Sequence, residues 1–132
     1  MSSLLTLDGY QNLASKTAIY PGKGTSIGLT YIALKLNGEA GEVAENVGKA
    51  VRDDGLLSQQ YEYHNGVPAA SSVSLTPERK AKLLAEAGDV LWYLSQLATE
   101  LGTTLGEIAE ANILKLSSRA ERGVLRGSGD DR

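Results

Sequence analysis

Two short words, Glu39-Ala40-Gly41-Glu42 and Glu86-Ala87-Gly88-Asp89, constrain this chain more than any other feature. Each sets two carboxylates three residues apart around an Ala-Gly pair, inside a stretch where apolar residues recur at helical spacing. On a helix such residues are surface neighbours, so each word crowds two like charges at a cost of roughly 0.2–0.5 kcal/mol. A glycine inside a helix costs about 1 kcal/mol more, relative to alanine. The matched words predict two facing helices that offer four oxygen ligands to hard cations, with glycines permitting close approach. The competing reading is two solvated helix faces that share letters by chance. A single acidic pair favours that second reading; two matched pairs favour a metal site.

The remaining sequence supplies the helices around these words. Leu7, Tyr10, Ala14 and Ala18 predict a first helix from about Thr6 to Ile19. The following Tyr20-Pro21-Gly22-Lys23-Gly24-Thr25 lacks the spacing of a phosphate-binding loop and has no strand before it, so it reads as a turn. A second helix is expected from about Gly28 to Arg52, with an apolar stripe of Ile32, Leu36, Ala40, Val43, Val47 and Ala50. Lys35, Glu39, Glu42, Asn46 and Lys49 form the row beside that stripe.

Periodicity is lost over 53–76, which reads as a long irregular loop or insertion. Asn65-Gly66, flanked by Tyr61, Tyr63 and Val67, suggests a small hairpin there. His64, the only histidine, reads as a turn residue because no second histidine supports a ligand role. Thr76-Pro77 opens a third helix with a capping hydroxyl and a proline in the first helical position. Its stripe is Leu83, Ala87, Val90, Leu94, Leu97 and Leu101, with Glu86, Asp89, Tyr93 and Gln96 alongside, and Gly102 stops it. Thr104 and Glu107 form a capping box for a fourth helix, where Leu105, Ala109, Ile113, Leu116 and Ala120 are expected to face inward. Asn112, Lys115 and Arg119 make an adjacent polar row. Residues 123–132 carry too little apolar material to order themselves and are expected to form a flexible tail.

The expected fold is therefore all-α: a four-helix bundle over residues 1–122 with a long loop between its second and third helices. Helices this rich in small residues build a modest core, so a homo-oligomer (dimer or tetramer) is expected to complete it. At 132 residues with a net charge of −3, the chain fits one domain and shows no basic excess for nucleic acid. Without cysteine it has neither disulfides nor thiolate metal sites. No apolar run is long enough for a membrane span and no leader pattern is visible, so a cytoplasmic protein is expected.

Oxygen-only ligation by Glu39, Glu42, Glu86 and Asp89 suits Mg²⁺, with Mn²⁺ as a second choice, over Zn²⁺ or copper. A di-iron bundle would need Glu-x-x-His on two helices, and neither word ends in His. Mg²⁺ commonly fills its shell with water and substrate phosphates, which gives the fourth helix a role. Lys115 offers a point charge, Arg119 a planar fork and Asn112 a neutral donor for a phosphate chain. Taken alone, the same three residues would equally suit a solvated face.

Taken in order, these segments resemble the MazG-like, all-α nucleoside triphosphate pyrophosphohydrolases, particularly their short phage-type members. Leu36 to Glu45 resembles the family's E-x-x-E helix, and Glu86 to Leu94 its E-x-x-D helix. Glu110-Ala111-Asn112, with Lys115-Leu116 and Arg119, resembles its last helix, and Gly127 to Asp130 its ending. The resemblance implies cleavage of a (d)NTP between its α and β phosphates, with Glu39, Glu42, Glu86 and Asp89 as metal-binding and catalytic acids. Trp92 and Tyr93, one helical turn beyond Asp89, are candidates to hold the base, with core or subunit interface the favoured reading for Trp92; Tyr10 and Gln11 are weaker candidates. The Gly55 to Leu75 insertion lengthens the usual linker between the two acid helices. A non-catalytic helical module that dimerises and holds a structural metal is the alternative from another class. A phosphoribosyl-ATP pyrophosphohydrolase is a lesser option within the enzymes.

Overall fold

The computed structural model describes residues 4–58, 62–64, 67–69 and 75–126. Its helices are α1 (Leu7–Ala14), α2 (Ser26–Asp53), α3 (Pro77–Glu100) and α4 (Leu105–Glu121), so the chain is all-α as expected. No helix among the described residues is long and apolar enough to cross a membrane. Two compact units are distinguished: Met1–Ile32 with Leu94–Arg132, and Ala33–Tyr93.

In the first of these units, α1 is shorter than the apolar spacing predicts. It ends at Ala14 and passes into a 3-10 turn, Ser15–Thr17. Thr6 caps it by accepting the Gly9 N–H. The α3–α4 turn is closed at both ends. Gly102 sits at φ 70°; its N–H donates to the Thr99 carbonyl and that of Thr103 to the Ala98 carbonyl. This Schellman pattern needs a left-handed residue where Gly102 stands. The Thr104–Glu107 capping box then starts α4.

Two side chains of α1 complete that helix start. Gln11 Oε1 accepts the Leu105 N–H at 2.7 Å, and Asp8 Oδ1 accepts the Gly106 N–H at 2.8 Å. With Thr104 accepting the Glu107 N–H, three of the donors that a helix N-terminus leaves unpaired are satisfied. Gln11 also donates to Thr99 Oγ1 and the Thr103 carbonyl. It is buried and its polar atoms are engaged within the protein, which makes it a structural clamp. The loop before α2 is held in the same manner: Gly24 N–H and the Tyr20 hydroxyl both donate to the Glu100 carboxylate.

In the second unit, Ala33–Tyr93, the helices meet along a narrow seam. From Ala33 onward, α2 turns Leu36, Glu39, Val43, Asn46, Lys49 and Ala50 away from solvent. From Pro77 to Leu91, α3 does so only with Arg79, Leu83, Glu86 and Val90. Alternating steps of three and four residues are those of a packed helix pair. Facing contacts run antiparallel: Lys35 lies over the Tyr93 ring, Glu42 hydrogen-bonds Glu86, and Arg79 Nη1 donates to Asn46 Oδ1.

This seam corrects the expected stripes. Ala40, Val47 and Ala87 are exposed, whereas Glu39, Asn46 and Glu86 are turned inward. The expected close approach at the motif glycines is also absent: a Cβ at Gly41 or Gly88 would meet nothing within 4 Å. On α4, Ile113, Leu116 and Ala120 are exposed in place of the inward positions expected for them.

A short antiparallel hairpin, β1 (Glu62–His64) with β2 (Val67–Ala69), pairs Tyr63 with Pro68. The expected turn residues Asn65-Gly66, most of the 59–74 stretch and the tail beyond Arg126 lie outside the described residues.

Candidate metal centre

The seam explains how three acids from distant sequence come together. Glu39 stands on the inward row of α2 and Glu86 on that of α3, with Glu42 at the more exposed rim. One carboxylate oxygen from each lies within 4.8 Å of the other two. Oxygen ligands on one small divalent ion stand about 3–4 Å apart at metal–oxygen distances near 2.1 Å, so modest side-chain movement suffices.

Electrostatics point the same way. The Glu86 carboxyl is held above its ordinary range, first by loss of hydration, then by the Glu42 charge and a hydrogen bond with Glu42, then by Asp89 and Glu39. Three acids that repel one another, all oxygen donors, fit a hard divalent cation better than a thiophilic one. Asp89, one turn beyond Glu86, is exposed and lies outside the group of three.

Lys35 also belongs to this site, although sequence reasoning assigned it no functional role. Its Nζ lies 3.6 Å from Glu39 Oε1 and 5.8 Å from the centroid of the Tyr93 ring. The signal available was its position one turn before Glu39. Tyr93 in turn meets Trp92 edge-on, ring centroids 4.9 Å apart at 81°. Both rings are half-buried.

The α4 row divides. Asn112 and Lys115 are exposed and, with Ile108 and Ala111, line an open depression of about 330 Å³. Arg119 is buried. Of the other candidates, Tyr10 is half-buried on α1, and Gln11 is the clamp described above.

Comparison with known proteins adds a family. The family described as "MazG nucleotide pyrophosphohydrolase domain" matches residues 28–124. The "Gene 37 protein" of Mycobacterium phage L5 is 45% identical over 130 residues, which cover 96% of this chain and 98% of that protein. No solved structure matches.

Proposed function

The chain belongs to the MazG nucleotide pyrophosphohydrolase family, and on that premise we propose that it hydrolyses nucleoside triphosphates to monophosphate and pyrophosphate with Mg²⁺. The observation that carries this reading is the convergence of Glu39, Glu42 and Glu86 on one seam inside the matched segment. A cation bound there would neutralise phosphate charge and acidify an attacking water. Asp89 is the fourth acid of the proposed site, and one carboxylate of the four orients or deprotonates that water. Lys35, beside Glu39, offsets the crowded charge when no cation is bound. Asn112, Lys115 and Arg119 are proposed to bind the phosphate chain, and Trp92 and Tyr93 the base.

The test is pyrophosphate release from a panel of ribo- and deoxyribonucleoside triphosphates with Mg²⁺, for wild type and Glu86→Gln. Release by the wild type alone supports the reading. No release from any nucleotide, with the protein folded, returns the chain to the non-catalytic alternative.

We also propose that the chain works as a homo-oligomer. Leu84 and Leu91 on α3, and Ile113 and Leu116 on α4, are exposed large apolar side chains on otherwise regular helices. Ile113→Asp and Leu91→Asp are therefore expected to lower the mass seen by sedimentation. Unchanged mass in both would remove this part of the reading.

A further inference from the structure

On α2, Lys35 and Glu39 stand one turn apart, with Lys35 Nζ 3.6 Å from Glu39 Oε1. The contact is loose. The other such pair of this helix, Lys49 with Glu45, closes to 2.6 Å. Lysine before glutamate is also the weaker order for a pair on a helix. With the Lys35 side chain 45% exposed, water screens the pair, which is worth about fivefold in an equilibrium constant at most.

The ammonium nevertheless stays at the acids. It lies over the Tyr93 ring of α3, 5.8 Å from the centroid, which is within reach of a cation–π contact. Glu39 is turned inward, its side chain 12% exposed, and shares the seam with Glu42 and Glu86. Lys35, Glu39, Glu42, Glu86 and Tyr93 all belong to the unit Ala33–Tyr93, so their arrangement is internal to it. A cation is thus held, weakly, against an inward carboxylate of the group that fits a divalent ion.

We propose that Lys35 is a tethered counter-cation that yields Glu39 to the divalent ion and then binds the phosphate chain of the nucleotide. The proposal rests on the metal and nucleotide reading above and assigns a further residue to that site. An ammonium and a metal ion compete for the same carboxylate, and a screened pair of this strength is the one that gives way. Lys35 then keeps its place beside the site without its anion. Phosphate is the anion that commonly completes the shell of Mg²⁺, and three N–H donors on a flexible stem suit the change of partner.

Lys35→Met keeps the apolar stem and removes the charge. Without nucleotide it should bind Mn²⁺ about two- to fivefold tighter than wild type, read by electron paramagnetic resonance of the free ion, because no ammonium competes for Glu39. Lys35→Arg, which keeps the charge, should bind Mn²⁺ as wild type does. With saturating Mg²⁺, Lys35→Met should bind a non-hydrolysable nucleoside triphosphate about tenfold more weakly, the loss of one charge-assisted hydrogen bond. A purely structural role for Lys35 would weaken both ligands together. Mn²⁺ binding no tighter in Lys35→Met than in wild type overturns the proposal, as does equal affinity of the two proteins for the nucleotide. Should wild type bind no nucleotide, that reading fails separately, and titration with magnesium tripolyphosphate decides this one: affinity that does not depend on Lys35 overturns it. Should wild type bind no Mn²⁺, the metal reading falls and takes this proposal with it.

Discussion

The carboxylate of Asp8, on the first helix, accepts the Gly106 N–H at 2.8 Å and so caps the fourth helix from the far end of the sequence. A Cβ added at Gly106 would stand 2.7 Å from that same oxygen. Gly106→Ala should therefore bring two opposed effects: alanine favours helix by up to about 1 kcal/mol, and displacement of the cap costs about as much. Wild type should gain nothing or lose slightly. In an Asp8→Ala background, itself about 1 kcal/mol less stable, the same substitution should stabilise. Urea denaturation of the four proteins reads this change of sign. Equal effects in both backgrounds would show that Asp8 and Gly106 are independent.

Glu107 gives the capping box a pH dependence. The Thr103 hydroxyl first, and the Thr104 N–H second, hold its carboxyl below the ordinary range. A carboxyl whose folded pKa is depressed stabilises the fold above its unfolded pKa, and the contribution fades as pH falls through the folded value. Wild type should thus exceed Glu107→Gln in thermal midpoint at pH 7, with the gap closing below about pH 4. Thr104→Ala should cost about 1 kcal/mol. A gap that is constant from pH 7 to pH 3 would place the effect of Glu107 elsewhere.

These caps show what a sequence reveals and what it hides. Thr104 with Glu107, and Gly102 as the stop of α3, were legible because their partners lie within a turn of them. The partners of Asp8 and Gln11 lie 88 to 98 residues away, so nothing local distinguishes a clamp from a ligand contact. That is why Gln11 read as a weak base contact. The stripes failed for another reason. Glu39 is next to Ala40 and Glu86 next to Ala87, and hydropathy assigns the inward place to alanine. In the folded chain the carboxylates take it, and the same step that disturbs the pattern brings the three acids together.

The acids themselves set the third prediction. Glu39→Gln, Glu42→Gln, Glu86→Gln and Asp89→Asn should each abolish Mg²⁺-dependent hydrolysis while the helical circular dichroism survives. Wild type should also show a thermal midpoint that rises with Mg²⁺ or Mn²⁺, since a ligand that binds only the folded state stabilises it by mass action. Loss of that rise in Glu39→Gln, Glu42→Gln and Glu86→Gln would tie it to the observed cluster. Two variants with near-normal turnover would move the site elsewhere.

On the fourth helix, burial separates two cations that spacing had paired. Lys115 is exposed and Arg119 is buried. Lys115→Ala should raise KM for the nucleotide with little change in thermal midpoint. Arg119→Ala should lower stability as well as activity, because its removal disturbs a filled interior. Matching losses of stability in both variants would show that exposure is a poor guide here.

Arg79 connects the seam to its outer end. Its Nε donates to Asp54 Oδ2 at 2.8 Å, and Nη1 reaches Asn46 Oδ1 at 3.4 Å. The Arg79 and Asp54 side chains are only 13% and 20% exposed, so salt should screen the pair weakly. Arg79→Ala leaves a carboxylate and a buried amide without their donor, and should lower the thermal midpoint by about 5 °C. Arg79→Lys keeps the charge but not the fork and should recover less than half of that loss. Arg79 shares its inward row with Glu86, and its side-chain hydrogen bonds go to Asp54 and Asn46. If seam register places the three acids of the cluster, Arg79→Ala should also weaken Mn²⁺ binding, read by electron paramagnetic resonance of the free ion. Unaltered Mn²⁺ affinity at a lowered midpoint would mean that the cluster forms without help from the end of the seam.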